Sequence, residues 1–504
     1  MNDIQTPRVP PAPRAPRAPR ITGALRATLR CEWRILRADP AFWLVLLLLV
    51  ASVFYAVNAG SRHWQRQAQL VQAAQAEEAR RLAALKQNLI EVQAGRITPA
   101  SPFRDPRSAL WVGMTHGATT VALAPAPLAV AAVGLSDLHP STVKVSARTK
   151  DEFLFADEIR NPLHLLAGAV DLAFVLVFVL PLAVLALSYN LVSAEREQGT
   201  LALAACTGAD LRRVLLGKLL VRAGLPLLAT LLAMGVALTV AGVGPSWALA
   251  GLLAATALYA AFWALLAAWV NSRGRDSAHN ALALAASWIA LVLIVPAAVN
   301  LLADTLYPVP SRAEMVLAVR GATVDADRAR DATLARYREE HPDAQPAELK
   351  RGNPRERVAR RIAVVDASAA RVQAVVEAHD AQLARRQALV DRLAFASPAL
   401  LMQLAATDLA GSGGARYAAF YAQVDGFHTQ WRAFFLGRAR ADQALTEADY
   451  AAFPSFGRFL AGGPGAGTQS DGLAGVWPRL AGLAVLALLL GLLAASGLRR
   501  AERS

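Results

Sequence analysis

The sequence predicts an α-helical membrane protein with six transmembrane helices and two large extracytoplasmic insertions, the first mixed α and β, the second mainly helical. Three observations carry this expectation. Hydrophobic residues fill 55% of the 504 positions, and they fall in blocks instead of spreading along amphipathic elements. Six blocks approach the roughly 20 apolar residues that a helix needs to cross a hydrocarbon core of about 30 Å. Lys and Arg crowd the block ends on one side, which sets orientation in a bilayer.

The first twenty residues include Pro7-Arg-Val-Pro-Pro-Ala-Pro-Arg-Ala-Pro-Arg-Ala-Pro-Arg20. Such a tract cannot bury a core and is expected to be a disordered basic tail lying along anionic headgroups. Over residues 21–41, Leu25, Leu29, Trp33 and Leu36 share one helical face, with Arg26, Arg30, Arg34 and Arg37 beside it. This is the pattern of an interfacial amphipathic helix, although a solvated basic helix without a partner would share it. Asp39-Pro40 then breaks the chain. The first apolar block, residues 42–60, starts after about 40 residues and lacks an Ala-x-Ala cleavage site, so it reads as a retained anchor and not a signal peptide.

The first insertion, 61–164, begins as a helix leaving the membrane, with Leu82, Leu85, Leu89 and Val92 at three-four-three spacing. Its remainder has several prolines and two β-compatible runs, Thr119 to Leu123 and Thr142 to Ser146, so a small mixed lobe is expected. Further spans are expected at 165–192, 219–241, 247–270, 281–303 and 476–498. The second insertion, 304–475, has three helical stretches, Arg312 to Glu340, Arg355 to Phe395 and Ala415 to Ala448, punctuated by Pro342, Pro346, Pro354 and Pro398. The tract Gly462-Gly-Pro-Gly-Ala-Gly467 reads as a flexible hinge into the last span. The two insertions are candidates for a single external domain.

With the N-terminus inside, the cytoplasmic pieces are residues 1–41, 193–218, 271–280 and the tail 499–504. Widened to Arg222, they hold about +10 of the formal net charge of +14. The basic balance thus reports topology. A nucleic-acid binder would need basic residues clustered with stacking aromatics on a soluble fold, and that pattern does not occur, so nucleic acid is not an expected partner. Cys31 and Cys206 are the only cysteines, both on the expected cytoplasmic side, so no disulfide framework holds the insertions.

The most informative segment is the charged island Ser193-Ala-Glu-Arg-Glu-Gln-Gly-Thr-Leu201, continuing to Leu215-Leu-Gly-Lys218. Its ionised residues Glu195, Arg196, Glu197, Arg212, Arg213 and Lys218 must lie at a membrane surface, because such groups are costly in hydrocarbon. Gly199-Thr200 is expected to turn the chain. Thr207 and Asp210 match a capping box, which would start a helix near Gly208. The island then forms a rigid lever between the second and third spans. The competing reading is that its charges only fix topology and cap helix ends.

Gly217-Lys218 lacks the following Ser or Thr and the upstream glycine of a nucleotide-binding loop, so no enzyme activity or cofactor is expected in this chain. The histidines are scattered without metal-ligand spacing, and no metal site is expected. Asp171 and Asn190, at opposite ends of the second span, are the polar residues most relevant to a pathway. A carboxylate inside a span is a functional candidate by default, whereas one at headgroup level is not. Pro181, Pro226 and Pro296 are expected to kink their spans.

The island, placed after the second of six spans, resembles the signature of ABC-2 type transporter permeases. Lys144-Val-Ser146 and Asp157-Glu-Ile-Arg-Asn-Pro162, with Asp171 and the run from Pro181 to Asn190, look like the subgroup described as domain of unknown function 3526. The resemblance implies a fold like that of the type V exporters and a location in the bacterial inner membrane. It also implies ABC ATPase subunits, which would hold ATP and Mg, and a second permease subunit in a homo- or heterodimer. By analogy Ile21 to Arg37 would be a connecting helix, and Glu195 to Thr200 with the helix from Gly208 would dock on the ATPase. The implied function is ATP-driven export. Two alternatives remain open: force transmission to a periplasmic or envelope partner without transport, and a membrane-anchored sensor or scaffold.

Overall fold

The structure, a computed structural model, describes residues 21–148, 170–200, 211–273, 275–310, 312–329, 354–462 and 475–501, with isolated positions between 332 and 339. Six of its helices are long and apolar enough to cross a membrane: Pro40–Gln93, Leu172–Glu197, Arg213–Val240, Trp247–Asn271, Ser277–Leu306 and Val476–Gly497. Each overlaps one expected span. The basic tail and most of the Gly-rich hinge lie outside the described residues.

The second and fourth spans form the centre of the bundle. Of their apolar windows 67% and 50% are buried, against 17% for the fifth span, which therefore turns most of its surface outward. Tyr259 and Trp263 of the fourth span are fully buried, edge to face at 6.1 Å. The sixth span lies along the fourth, and the first along the third.

Two spans leave regular α geometry where proline interrupts them. Val175–Val179 and Ile289–Ile294 are π-helical, and Pro181 and Pro296 follow them. Proline has no N–H for the carbonyl four residues back, which for Pro181 is Val177. The Tyr259 hydroxyl donates to that carbonyl at 2.9 Å. Where α geometry resumes after a π segment, proline leaves the carbonyls four and five residues back without its N–H; for Pro296 these are Val292 and Leu291, and the Ser397 hydroxyl donates to Leu291 at 2.6 Å. Two neighbouring elements thus supply the hydrogen bonds that the prolines remove.

Ser397 also accepts from Leu400 N and so caps the helix Pro398–Ala410, which ends at Gly411 in the left-handed region, φ 67°. This helix falls within the expected insertion 304–475 and yet packs into the bundle. Its 13 residues are too few to cross a membrane, which takes roughly 20, yet Leu401, Met402, Ala405 and Ala406 are buried against the fourth and sixth spans. Periodicity does not flag a helix that is mostly apolar, with Asp408 its only charged residue. At the start of the sixth span, Arg479 pairs with Asp408 of this helix and, at 3.2 Å, with Asp391 of the helix before it. It also donates to the Leu404 carbonyl at 3.0 Å.

Beyond the bundle, both insertions share one core. Strand β1, Thr119–Ala122, pairs antiparallel with β2, Thr142–Val145, with Thr119 opposite Val145. Val121, Val143 and Val145 pack against Phe420, Phe427, Trp431 and Phe435 of helix Gly414–Arg440 and Ile362 of helix Pro354–Leu393. Trp431 Nε1 donates to the Gly113 carbonyl at 3.2 Å. The first-span helix braces this lobe, since Glu78 accepts from Thr120 N at 2.8 Å. Gly60 lets the same helix touch the backbone at Val130, where a Cβ would strike the carbonyl oxygen. The stretch expected to be helical to Ala448 stops at Arg440, where Asp442 takes φ 54°. A capping box of Thr446 and Asp449 then starts the helix Glu447–Ala451.

Removing either hydroxyl that serves a proline-freed carbonyl leaves an acceptor unmatched inside the bundle. Tyr259→Phe and Ser397→Ala should each lower stability by about 1–3 kcal/mol in denaturant titration. Tyr55→Phe, at an exposed ring, should leave it unchanged.

Candidate functional site

Four elements meet at the bundle end opposite the lobe. The helix Ile21–Ala38 is followed directly by the first-span helix, whose first turn is capped by Asp39 accepting from Ala41 N at 2.9 Å. Leu29 and Leu36 pack against Phe42, Leu187 and Val221. The third residue on this inner face is Glu32, not the expected Trp33: Glu32 is 3% exposed and Trp33 41%. Arg26, Arg30, Arg34 and Arg37 are all exposed.

Glu32 lies between two buried cations of the third span. Lys218 Nζ is 3.4 Å from its Oε1, and Arg222 Nε donates to its Oε2 at 2.9 Å. Lys218 also pairs with Glu195 at 2.6 Å and donates to the Leu191 carbonyl at 3.1 Å. Arg222 donates from its other arm to Asn190 Oδ1 at 2.5 Å. Two cations and two carboxylates thus form a neutral network, which reconciles ionised side chains with an apolar bundle. It links the amphipathic helix, the island and the third span.

The other half of the island is tied to the fourth and fifth spans. Ser193 and Ser277 share a hydrogen bond of 2.8 Å, and Glu197 accepts from Ser277 N at 2.6 Å. Asn271, 1% exposed, donates to the carbonyls of Ser188 and Ala267 and accepts from Val192 N and Asn280 Nδ2. It fixes the backbone turn where the second span ends.

The expected lever is therefore partly internal. Glu195 and Lys218, read from sequence as surface charges, face each other inside the network, because Glu32 and the Leu191 carbonyl draw Lys218 inward. Arg196, Glu197, Gly199, Thr200 and Arg213 stay on the surface. Gly199 takes φ 72°, which permits the expected turn, and Thr200 donates to the Glu195 carbonyl at 3.2 Å. Thr207, Asp210 and the side chain of Arg212 lie outside the described residues, as does the expected helix start at Gly208. Asn190 joins the network at one end of the second span. Asp171 sits at the other end, one residue before the span, where it accepts from Phe174 N and Val133 N, each at 2.8 Å. Burial raises its carboxyl above the ordinary carboxylate pKa. It caps the span at its boundary and does not lie within it.

Glu32, Arg222 and Asn271 were not among the residues singled out from sequence. The signal for Glu32 was present as an acid at helical spacing from Leu29 and Leu36 on an otherwise basic helix. Asn271, at the end of an apolar span, had no comparable mark.

Fold and site together define a helical membrane protein with six candidate spans, a lobe at one end and a buried ion network at the other. A family model described as a domain of unknown function (DUF3526) matches residues 312–458. The match falls on the second insertion, including the helix buried in the bundle, and not on the motifs near 144–146 and 157–162. No curated protein and no solved structure matches the chain.

Removing one partner of a buried pair leaves an uncompensated charge. Glu32→Gln should destabilise the protein by about 3–5 kcal/mol, read from denaturant titration of the purified chain. Arg34→Gln, on the exposed face of the same helix, should stay within about 0.5 kcal/mol of the parent.

Proposed function

We propose that this chain is the membrane-spanning permease subunit of an ATP-driven ABC exporter in a bacterial inner membrane, with both termini cytoplasmic. A separate ATPase subunit holds ATP and Mg, and a second permease subunit completes the complex. The observation that carries this reading is the closed network of Glu32, Lys218, Glu195 and Arg222. It gives a docked partner a stiff handle on several spans at once. Pressure on Ser193–Thr200 reaches the third span and the amphipathic helix through Lys218, and the fourth and fifth spans through Asn271 and Ser277. Packed helices respond to such a push by small sliding displacements.

The contact surface for the ATPase is then Arg196, Glu197, Gly199, Thr200 and Arg213; Thr207, Asp210 and Arg212, whose side chains lie outside the described residues, are assigned to it from the sequence alone. Glu195 and Lys218 transmit from within. The four exposed arginines of the amphipathic helix suit an anionic bilayer surface. A second reading, force transmission to an envelope partner, is favoured by Arg479, which clamps the sixth span to Asp391 and Asp408 of the second insertion. Under that reading the lobe moves with the span and nothing crosses the membrane.

Extraction in mild detergent should co-purify an ATPase. Within that complex Arg196→Glu should lower ATP hydrolysis at least fivefold while the thermal midpoint stays unchanged, since the side chain is exposed. Purification without any ATPase, or hydrolysis indifferent to Arg196→Glu, would count against the proposal. With coupling intact, movement of the lobe without export from proteoliposomes would favour force transmission.

A further inference from the structure

The helix Pro398–Ala410 starts beside the fifth span, where Ser397 donates to the Leu291 carbonyl, and ends beneath the lobe, where the Ser412 carbonyl accepts from Leu135 N at 2.9 Å. Between this helix and the second and fifth spans runs a cleft of about 420 Å3. Its deeper walls are Phe178, Val292 and Leu400, and its lobe-side walls are Gly134, Asp137 and Gln403. Gln403 follows Leu400 on the same helix, so it stands about 4.5 Å nearer the lobe along the axis. Polarity therefore changes along the cleft in the sense of a bilayer leaflet, apolar inside and polar at the boundary that Asp171 marks. Both π-helical segments contribute to the walls, and such segments recur at functional sites.

Pockets that hold small organic ligands span roughly 300–1,000 Å3 and pair apolar walls with a few placed polar groups. This cleft is near the lower end of that range, which suits one alkyl chain and not the two chains of a phospholipid. The charged groups at its rim are already committed: Asp171 accepts from Val133 N and Phe174 N, and Asp137 has a partner of its own. None of the described lining residues is basic. A charged head would find no uncommitted counter-charge among them, and burying an unpaired ion is costly. What remains open is the side-chain amide of Gln403, which lines the cleft and pairs with no group among the described residues. An amide both donates and accepts hydrogen bonds. We infer that this cleft binds a single-chain amphiphile with an uncharged head of hydroxyl, ester or amide groups, the chain lying between Phe178, Val292 and Leu400 and the head against Gln403. The binding belongs to this chain alone and does not rest on ATPase coupling.

The test uses the full chain in nanodiscs of phosphatidylglycerol, without any ATPase. The probe is a photoactivatable lauroylglycerol, with adducts located by mass spectrometry. Saturable labelling is expected at residues 174–178, 292–296 and 399–403. Unlabelled lauroylglycerol and lauramide should compete for it, and dodecyl sulfate and dodecyltrimethylammonium should compete roughly tenfold more weakly. Gln403→Leu should weaken labelling roughly fivefold, the worth of one hydrogen bond, while a photoactivatable alkane without a head labels the same segments undiminished. Leu400→Trp, which fills the slot, should reduce labelling by both probes roughly tenfold. Should Leu400→Trp fail to fold, Phe178→Ala, which removes an apolar wall, should weaken both roughly fivefold. Competition by dilauroylglycerol as strong as that by lauroylglycerol would overturn the single-chain assignment. Equal competition by the charged detergents, labelling outside these segments, or indifference to Gln403→Leu would overturn the site or its uncharged head.

Discussion

Everything at one end of this molecule depends on Glu32 lying between Lys218 and Arg222. Taking a carboxylate and two cations out of water costs several kcal/mol per ion, which only close pairing and further hydrogen bonds offset. Glu195, Asn190 and the Leu191 carbonyl supply them. Because the partners are divided among three segments, the charges can balance only when the amphipathic helix, the island and the third span are in register. The geometry of this end is set by electrostatic necessity more than by apolar packing, which is interchangeable among leucines.

At the opposite end the constraint is hydrogen bonding. Pro181 and Pro296 leave carbonyls without their helical donors, and an unmatched carbonyl in hydrocarbon costs several kcal/mol. Tyr259 and Ser397 meet that need from outside the broken spans. The second insertion is therefore part of the bundle's own structure, since Ser397 and the helix it caps belong to it. Arg479 strengthens the same attachment.

Much of this architecture was legible because long apolar blocks have few alternatives to spanning helices. The two strands were visible as β-branched runs, and the helix leaving the membrane from its leucine spacing. What escaped the sequence shares a cause: partners distant in the chain. Lys218 reads as a surface charge until Glu32, far away in sequence, is placed beside it. Pro398–Ala410 reads as part of an outer region because composition alone does not tell a helix buried among spans from one buried in a lobe. The turn at Gly199 was readable locally, since only neighbouring residues determine it.

The shared core of the lobe has a consequence for how the chain reaches its native state. Gly113 and Trp431 are 318 positions apart, and the second to fifth spans are made between them. The apolar faces of β1 and β2 must therefore wait uncovered while most of the protein is synthesised and inserted. Such delayed, non-local pairing is slow and exposes aggregation-prone surface. For this protein the vulnerable interval of biogenesis lies outside the bilayer, in a half-made lobe whose aromatic counterpart has not yet been translated.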